Sequence, residues 1–261
     1  MAEPILYDVR GPEKSRAAWI TLNTPENHNA LSLPLCQTLD SAIDRALGDD
    51  AVRAIVLTGV GKTFCAGADL KSGGGGAARP GGKTGRGPFV SALHKLWECP
   101  KPVIGRVQGN AWGGGVGLMA ACDIAIAVES GRFGFTEVRL GLIPAIISVF
   151  VLRKMPPGEA SCYFLTGDRF TAQQARQMGL AQETVPDAEL DAAVQRVLDS
   201  LAQCGPKALA EAKTLLRKIP TLGVNDGLDY AETTIAALFT SDEGREGMTA
   251  FAEKRKARWV P

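Results

Sequence analysis

The sequence is poor in the residues that build metal centres. Its 261 residues include two histidines, His28 and His94, and its six cysteines are scattered without a CxxC pair or a cysteine–histidine cluster. Protein zinc sites need such clusters at short spacing, so we expect no metal site. Scattered cysteines of this kind are typical of a reduced, cytoplasmic protein, in which they act as small buried hydrophobic residues.

Excess charge and long apolar runs are also missing. The formal net charge is +1 at pH 7, which gives no electrostatic attraction to nucleic acid or to an anionic membrane surface. The longest apolar run, near residues 140–152, is too short to span a bilayer. The stretch MAEPILYDVRG lacks the basic-then-apolar order of a secretion signal. We therefore predict a cytoplasmic globular protein with no nucleic-acid or membrane partner.

The hydrophobic pattern divides the chain into a mixed first part and a helical second part. Short runs rich in β-branched residues predict strands at residues 5–10, 17–22, 52–58, 102–107, 124–128 and 132–135. Helical spacing predicts helices near residues 33–47, 90–97, 116–122, 146–154, 158–165, 172–179, 189–202, 207–219, 228–239 and 242–256, with Ser32, Thr171 and Ser241 as N-caps. The predicted fold class is α/β, with a core at residues 1–200 and a helical region at residues 201–261.

Three consecutive glycines, Gly113, Gly114 and Gly115, mark the most informative turn. They follow the predicted strand at residues 102–107 and open the helical run at residues 116–122. The first N–H groups of a helix are unpaired and lie at the positive end of its dipole, and glycine lets a ligand approach the backbone closely. The turn can therefore hold an anion or a developing oxyanion. A close-packed turn without a ligand explains the glycines equally well.

A second glycine-containing loop at residues 65–68 follows another predicted strand. Two N–H donors that converge from the two loops would form an oxyanion hole, in which one donor is typically worth about 2.7–4 kcal/mol to the transition state. Glu137 lies between Phe135 and Val138 and is a candidate general base, whose pKa burial would raise. These features favour enolate chemistry beside a carbonyl. The alternative is a pair of structural loops and a surface glutamate.

Two segments resemble phosphate-binding loops without meeting their requirements. Residues 56–63 (VLTGVGKT) lack the first glycine of GxxxxGK[ST], and residues 77–84 (AARPGGKT) do not directly follow a strand. A nucleotide-binding module is therefore a distant alternative. We expect the glycine-rich stretch at residues 72–88 to be a surface loop, or a mobile cover over the site.

Six motifs are in register with one known family over residues 5–259. They are FCAGADL at 64–70, PKPVI at 100–104, GNAWGGG at 109–115, ACDI at 121–124, LTGD at 165–168 and EGMTAFAEKR at 246–255. Together they resemble the enoyl-CoA hydratase/isomerase (crotonase) family. The resemblance implies a crotonase-like spiral of ββα units and a C-terminal helical region that builds a homotrimer, or a hexamer as a dimer of trimers. The implied substrate is an acyl-CoA thioester, which carries coenzyme A itself, so no separate cofactor is expected.

The resemblance also implies roles for individual residues. Ala66 and Gly114 would donate the oxyanion-hole N–H groups, and Glu137 would transfer the proton. The residues implied in substrate or CoA contact are Asn27, His28, Ala66, Gly67, Ala68, Asp69, Leu70, Gly114, Gly117, Phe251 and Lys254, of which the last two would reach the CoA of a neighbouring subunit. Many relatives carry lysine where this chain has Glu26, so this turn lacks a positive charge for a phosphate.

One departure from the family pattern leaves the reaction open. Hydratases of the family typically carry two glutamates, and Gly117 occupies the first of these positions. A single glutamate is the pattern of Δ3,Δ2-enoyl-CoA isomerases, whereas residues 141–148 resemble bacterial hydratases of the methylglutaconyl-CoA type. Ile146 and Ile147 stand in a turn that is usually rich in glycine, which predicts a narrowed or reshaped acyl pocket. We predict a 2-enoyl-CoA hydratase with a branched or carboxylated substrate; the alternatives are the isomerase and a non-catalytic acyl-CoA-binding protein.

Overall fold

The computed structural model describes residues 3–73 and 85–261. Most of the predicted cover at residues 72–88 therefore lies outside the described residues. The strands are β1 (Ile5–Arg10), β2 (Arg16–Leu22), β3 (Val52–Gly59), β4 (Thr63–Cys65), β5 (Val103–Val107), β6 (Asn110–Trp112), β7 (Ile124–Val128), β8 (Arg132–Gly134), β9 (Arg169–Thr171) and β10 (Glu183–Val185). The α-helices are α1 (Leu33–Gly48), α2 (Pro88–Glu98), α3 (Gly114–Ala121), α4 (Ala145–Val151), α5 (Pro157–Thr166), α6 (Ala172–Gln177), α7 (Leu190–Ala202), α8 (Pro206–Lys218), α9 (Val224–Thr240) and α10 (Asp242–Ala252).

The larger sheet has six strands in the order β1-β2-β3-β5-β7-β10. β1 and β2 form an antiparallel pair, and the remaining neighbours are parallel. Both faces of the sheet are covered, which is why β3 is a nearly continuous apolar run. Val56, Ile104 and Ile126 on one face pack in a cluster with residues of α7, and the other face belongs to the main core with α1.

A smaller sheet has four strands in the order β4-β6-β8-β9. β4, β6 and β8 are parallel to one another, so their carboxyl ends meet at one edge. The loop at residues 65–68, the glycine turn and the segment that carries Glu137 each continue from one of these ends. The smaller sheet therefore gathers the three predicted site segments in one place.

The order of the elements confirms the predicted α/β class and the implied ββα repeat. α1 follows β1 and β2, α2 follows β3 and β4, α3 follows β5 and β6, and α4 follows β7 and β8. The hydroxyl groups of Ser32, Thr171 and Ser241 accept hydrogen bonds from the N–H groups of their helices, so all three predicted N-caps are confirmed. Within the described ranges, no helix combines the length and the apolar character needed to cross a bilayer.

Some boundaries differ from the prediction. Residues 136–140, for which neither a strand nor a helix is predicted, form a 3-10 helix. The helix predicted to reach residue 256 ends at Ala252, and α3 begins earlier than predicted, at Gly114. α7 ends at Ala202 and α8 begins at Pro206; the division into a core at residues 1–200 and a helical region at residues 201–261 stays a prediction.

A buried lysine of α8 joins the C-terminal helices to the core. The ammonium of Lys213 lies 2.7 Å from a carboxylate oxygen of Asp123 and donates hydrogen bonds to the carbonyl oxygens of Leu96 and Lys101. The same Asp123 oxygen accepts a hydrogen bond from the N–H of Val103. Because the side chain of Lys213 is only 7% exposed and that of Asp123 29% exposed, each charge depends on the other for compensation.

Replacement of Lys213 by methionine is expected to destabilise the protein. The variant keeps the length of the side chain but leaves the Asp123 carboxylate without its cation. Loss of one partner of a buried ion pair costs about 3–5 kcal/mol, and we expect the lower end because Asp123 keeps some contact with water. Urea unfolding of Lys213→Met and of the exposed control Lys207→Met measures the difference. Equal free energies of unfolding for the two variants would contradict the assigned role.

Candidate active site

The two glycine-containing loops meet at Gly67 and Gly114. A Cβ atom placed on Gly67 would lie 2.6 Å from the carbonyl oxygen of Trp112 and 3.2 Å from the nitrogen of Gly114. Gly67 also has a φ of +81°, a conformation that side-chain-bearing residues rarely adopt. Only glycine therefore allows the loop at residues 65–68 to approach the start of α3 this closely.

The hydrogen bonds of this loop correct one predicted donor. The N–H of Ala66 donates to the carbonyl oxygen of His28 at 3.0 Å, so it is not available to a substrate as we predicted. The N–H of Gly67 has the Sγ of Cys65 within 3.5 Å. The N–H of Ala68 has no acceptor among the described residues. The loop therefore offers Ala68, two residues beyond the predicted donor.

The glycine turn supplies the second donor. The N–H of Gly113 donates to the carbonyl oxygen of Gly134 at 2.9 Å and thereby fixes the turn to β8. Gly114 is the first residue of α3, and its N–H has no acceptor within the described part of the chain. First-turn N–H groups lie at the positive end of the helix dipole. The turn can thus bind a negatively charged oxygen at Gly114.

Glu137 lies against the same turn. A Cβ atom on Gly113 would lie 2.6 Å from the Oε1 atom of Glu137, so the carboxylate rests directly on the glycine. The Oε2 atom of Glu137 is buried and has no hydrogen-bond partner among the described residues. Burial raises the pKa of this carboxyl above its ordinary value, against a smaller opposing effect of a backbone hydrogen bond. The group is therefore suited to accept a proton.

The raised pKa of Glu137 predicts where activity is lost in acid. A general base works only in its ionised form, so kcat/KM should fall with decreasing pH around a pKa above 4.5. A pH–rate profile measures this value, and a midpoint at or below 4.5 would contradict the assignment. The same shift means that the folded state holds its proton to higher pH than the unfolded state. Glu137 therefore lowers stability as pH rises through this window.

A cavity of about 430 Å³ opens between these segments. Its lining includes backbone of both loops, the side chain of Glu137 and a largely apolar wall. That wall is formed by Leu70, Phe89, Leu140, Leu142, Ile143, Pro144, Ala145, Ile146 and Ile147. Glu137 is the ionisable residue in the described lining. The cavity therefore combines two backbone donors and one carboxylate with apolar surroundings, as a site for an enolate intermediate requires.

The space that a glutamate side chain at position 117 would need is occupied by Ile147. A Cβ atom on Gly117 would lie 2.2 Å from the Cγ2 atom and 2.8 Å from the Cβ atom of Ile147. Ile147 is 3% exposed and belongs to α4. A side chain at position 117 would therefore clash with Ile147. Gly117 has no side chain with which to contact a substrate.

The other predicted contact residues have different surroundings. Leu70 lines the cavity, and Asp69 caps the short 3-10 helix that follows it. The side-chain oxygen of Asn27 lies 3.2 Å from the N–H of Ala30, while the side chain of His28 is exposed. Phe251 is 88% exposed and, like Lys254, does not line this chain's cavity.

Asn29 supports the site but is not among the predicted site residues. Asn29 is fully buried, and its side-chain amide donates to the carbonyl oxygens of Thr63 and Phe64 at 2.8 and 3.2 Å. Its oxygen accepts a hydrogen bond from the N–H of Thr24. These hydrogen bonds hold the turn that contains His28 against β4, next to the loop that contains Ala68. Asparagine in a polar turn gives little signal in a sequence, because turns favour it for local reasons.

The described residues contain no group of three or more histidine, cysteine, aspartate and glutamate side chains placed to hold a metal ion.

Known proteins resemble this chain over nearly its whole length. The model of the enoyl-CoA hydratase/isomerase family matches residues 13–260. The enoyl-CoA hydratase EchA19 of Mycobacterium tuberculosis is 34% identical over 242 residues, which cover 90% of each chain. The carnitinyl-CoA dehydratase of Proteus mirabilis is 32% identical over 246 residues, 92% of this chain and 93% of that protein.

The fold has equally close counterparts among solved structures. An enoyl-CoA hydratase from Shewanella pealeana superimposes with a TM-score of 0.89 at 33% identity, covering 98% of this chain and 96% of that one. The family match, the relatives and the fold agree with the motifs at both loops. The chain therefore belongs to the enoyl-CoA hydratase/isomerase (crotonase) family and is an enzyme of that family.

Proposed function

We propose that the protein adds water reversibly across the 2,3 double bond of a 2-enoyl-CoA. The observation that carries this proposal is the placement of the Glu137 carboxylate on Gly113, next to the unpaired N–H of Gly114. The names of the relatives, which include enoyl-CoA hydratases of several organisms, support hydration.

The thioester oxygen would accept hydrogen bonds from the N–H groups of Ala68 and Gly114. These donors lie on loops that touch each other, since the Cα of Gly67 is 3.6 Å from the Cβ position of Gly114. As negative charge moves onto the oxygen, both bonds strengthen without any rearrangement of the protein. Polarisation of the thioester makes the C3 atom electrophilic, and addition at C3 then gives an enolate whose oxygen both N–H groups would hold.

Glu137 would carry out both proton transfers of the reaction. It removes one proton from a water molecule while the water oxygen forms a bond to C3, and the electrons of the double bond move toward the thioester. The protonated carboxyl then gives the proton to C2 as the enolate collapses. The product is a 3-hydroxyacyl-CoA, which contains the substrate and one water, and Glu137 returns to its ionised form.

A second candidate reaction is the Δ3,Δ2 isomerisation of an enoyl-CoA. It is favoured by one observation, the Ile147 side chain on Gly117, because this leaves a single carboxylate in the described lining. Glu137 would then take a proton from C2 and return it to C4 of the same molecule. No water is added, and the mass of the substrate does not change.

The assembly belongs to the proposal as well. Large apolar side chains are exposed on α8, α9 and α10, namely Leu216, Val224, Leu228, Ile235, Phe239, Met248 and Phe251. We expect a second copy to cover this surface in a homotrimer or hexamer in the cytoplasm. Phe251 and Lys254 would then reach the CoA bound by the neighbouring subunit, while Asp69, Asn27 and His28 stay on the CoA side of their own site.

Substrate turnover tests the reaction. The purified protein is given crotonyl-CoA, 3-methylglutaconyl-CoA or a 3-enoyl-CoA, the loss or gain of enoyl-thioester absorbance is followed, and the products are weighed by mass spectrometry. A product heavier by one water supports hydration, and the preferred 2-enoyl ester shows whether the branched, carboxylated substrate is the better one. Conversion of the 3-enoyl ester at unchanged mass would replace the hydratase by the isomerase. Binding of CoA esters without any product would leave a non-catalytic binding protein.

A further inference from the structure

Gly113, the N-cap of α3, and Gly117, within α3, each carry a side chain from elsewhere in the chain. Gly113 and Gly117 are four residues apart, and the N–H of Gly117 donates to the carbonyl oxygen of Gly113. Residues at this spacing at the start of a helix lie about one turn apart, roughly 6 Å along its axis. Glu137 rests on the first glycine and Ile147 on the second. The isoleucine is therefore the next group along the wall beyond the catalytic carboxylate.

This arrangement orders the parts of a bound acyl group. In the proposed complex the thioester oxygen would be held at Gly114, and C2 and C3 would lie at Glu137, which rests on Gly113. Carbon atoms beyond C3 then reach the stretch of wall formed by Ile147 over Gly117. Ile147 is 3% exposed, and its branched Cβ atom allows few rotamers in a helix. The side chain cannot turn away without moving α4.

The charges around this wall also restrict the acyl group. The described residues that line the cavity next to Ile147 are apolar, among them Leu142, Ile143 and Ile146. Arg139 is the basic residue nearest to Glu137 in the sequence. Its guanidinium is paired with Asp168 and donates a hydrogen bond to the carbonyl oxygen of Thr166. A second carboxylate on the acyl chain would lose its water without gaining a cation from the described lining residues, and it would be repelled by Glu137.

We propose that Ile147, seated on Gly117, is the residue that sets acyl selectivity, so that the site accepts short, uncharged aliphatic acyl groups. The inference rests on the proposed binding of acyl-CoA thioesters, and it names the substrate class within it. Gly117 and Ile147 act as a pair, because the absence of a side chain at one position is what admits the isoleucine at the other.

Binding of unreactive esters tests the selectivity apart from catalysis. Saturated butanoyl-, hexanoyl-, octanoyl- and glutaryl-CoA lack the double bond, so calorimetric Kd values do not depend on which reaction the enzyme performs. In the wild type we expect no gain in affinity from butanoyl to octanoyl, and weaker binding of glutaryl-CoA. In Ile147→Ala, the longer esters should gain about fourfold per methylene that enters the vacated space.

Val149→Ala is the matched control, since Val149 lies on the same helix, is exposed and does not line the cavity. It should keep the wild-type order of affinities. The same order in Ile147→Ala, or glutaryl-CoA bound by the wild type as tightly as butanoyl-CoA, would overturn the inference while leaving the proposed reaction intact. Failure of every CoA ester to bind would instead remove the proposed function.

A double-mutant cycle tests the pairing itself. Gly117→Ala should lower the unfolding midpoint in the wild type, because its Cβ would meet Ile147. The loss should be smaller in the Ile147→Ala background, where the 2.2 Å contact with Cγ2 is removed and the 2.8 Å contact with Cβ remains. Gly48→Ala, at a helical glycine with no atom within 4 Å of its Cβ position, is the control in both backgrounds. An equal loss from Gly117→Ala with and without Ile147 would show that the two positions are independent.

Discussion

Replacement of Glu137 by glutamine is expected to abolish turnover while leaving the protein folded. The amide has the size of the carboxyl but cannot accept the proton, and removal of a general base typically costs about 10²–10⁴-fold in rate. Because Oε2 of Glu137 is buried without a partner, a neutral group should fit the site at least as well as the charged one. We therefore expect a higher unfolding midpoint for Glu137→Gln at neutral pH.

The two readouts together separate a catalytic role from a structural one. Rates are measured with the ester that the wild type turns over best, and unfolding is followed at pH 7 and near pH 4. The gain in stability should vanish at the lower pH, where the carboxyl of the wild type is protonated in both states. Glu129→Gln, an exposed glutamate outside the cavity, is the control and should change neither quantity. An active Glu137→Gln variant would refute the proposed mechanism.

Removal of the N–H of Gly114 is expected to have the second largest effect. Proline at this position lacks the donor, yet it suits the first residue of a helix, where its N–H would have no partner in the helix. Loss of one oxyanion-hole donor typically lowers kcat by about 10²–10³-fold. Gly114→Pro should therefore lose turnover far more than it loses soluble, folded protein.

Gly114→Ala is the matched control for this experiment. Both variants place a Cβ atom 2.5 Å from the Cδ1 atom of Leu31, so both require the same movement of that side chain. Only the proline variant also lacks the N–H. The ratio of their kcat values therefore measures the loss of the N–H together with the ring carbon that replaces its hydrogen, and a ratio near one would exclude Gly114 as a donor.

Much of the architecture could be predicted because it is encoded by local patterns. The runs of β3 and β7 are long and apolar, and the N-caps Ser32, Thr171 and Ser241 stand where their helices begin. β4, β6 and β9 have three residues each, which is too short for a periodic signal. Three of the four strands of the smaller sheet were therefore not predicted, although the carboxyl ends of this sheet assemble the site.

The site itself was predicted at the level of segments rather than atoms. Glu137 and the two glycine loops follow from the motifs, but the choice between Ala66 and Ala68 depends on which N–H the carbonyl of His28 accepts. The contact between Ile147 and Gly117 joins two helices that meet only in the folded protein. A sequence shows that Gly117 lacks a side chain; it does not show what occupies the space.

The ion pair of Lys213 and Asp123 has a consequence for synthesis on the ribosome. Asp123 belongs to the part of the chain that emerges early, whereas Lys213 leaves the exit tunnel after the large sheet has been translated. Until then the carboxylate must remain hydrated, and its surroundings cannot close without burying an unpaired charge. The growing chain should therefore reach its final stability only once α8 has emerged, and release of a polypeptide that stops before α8 would yield a loosened core.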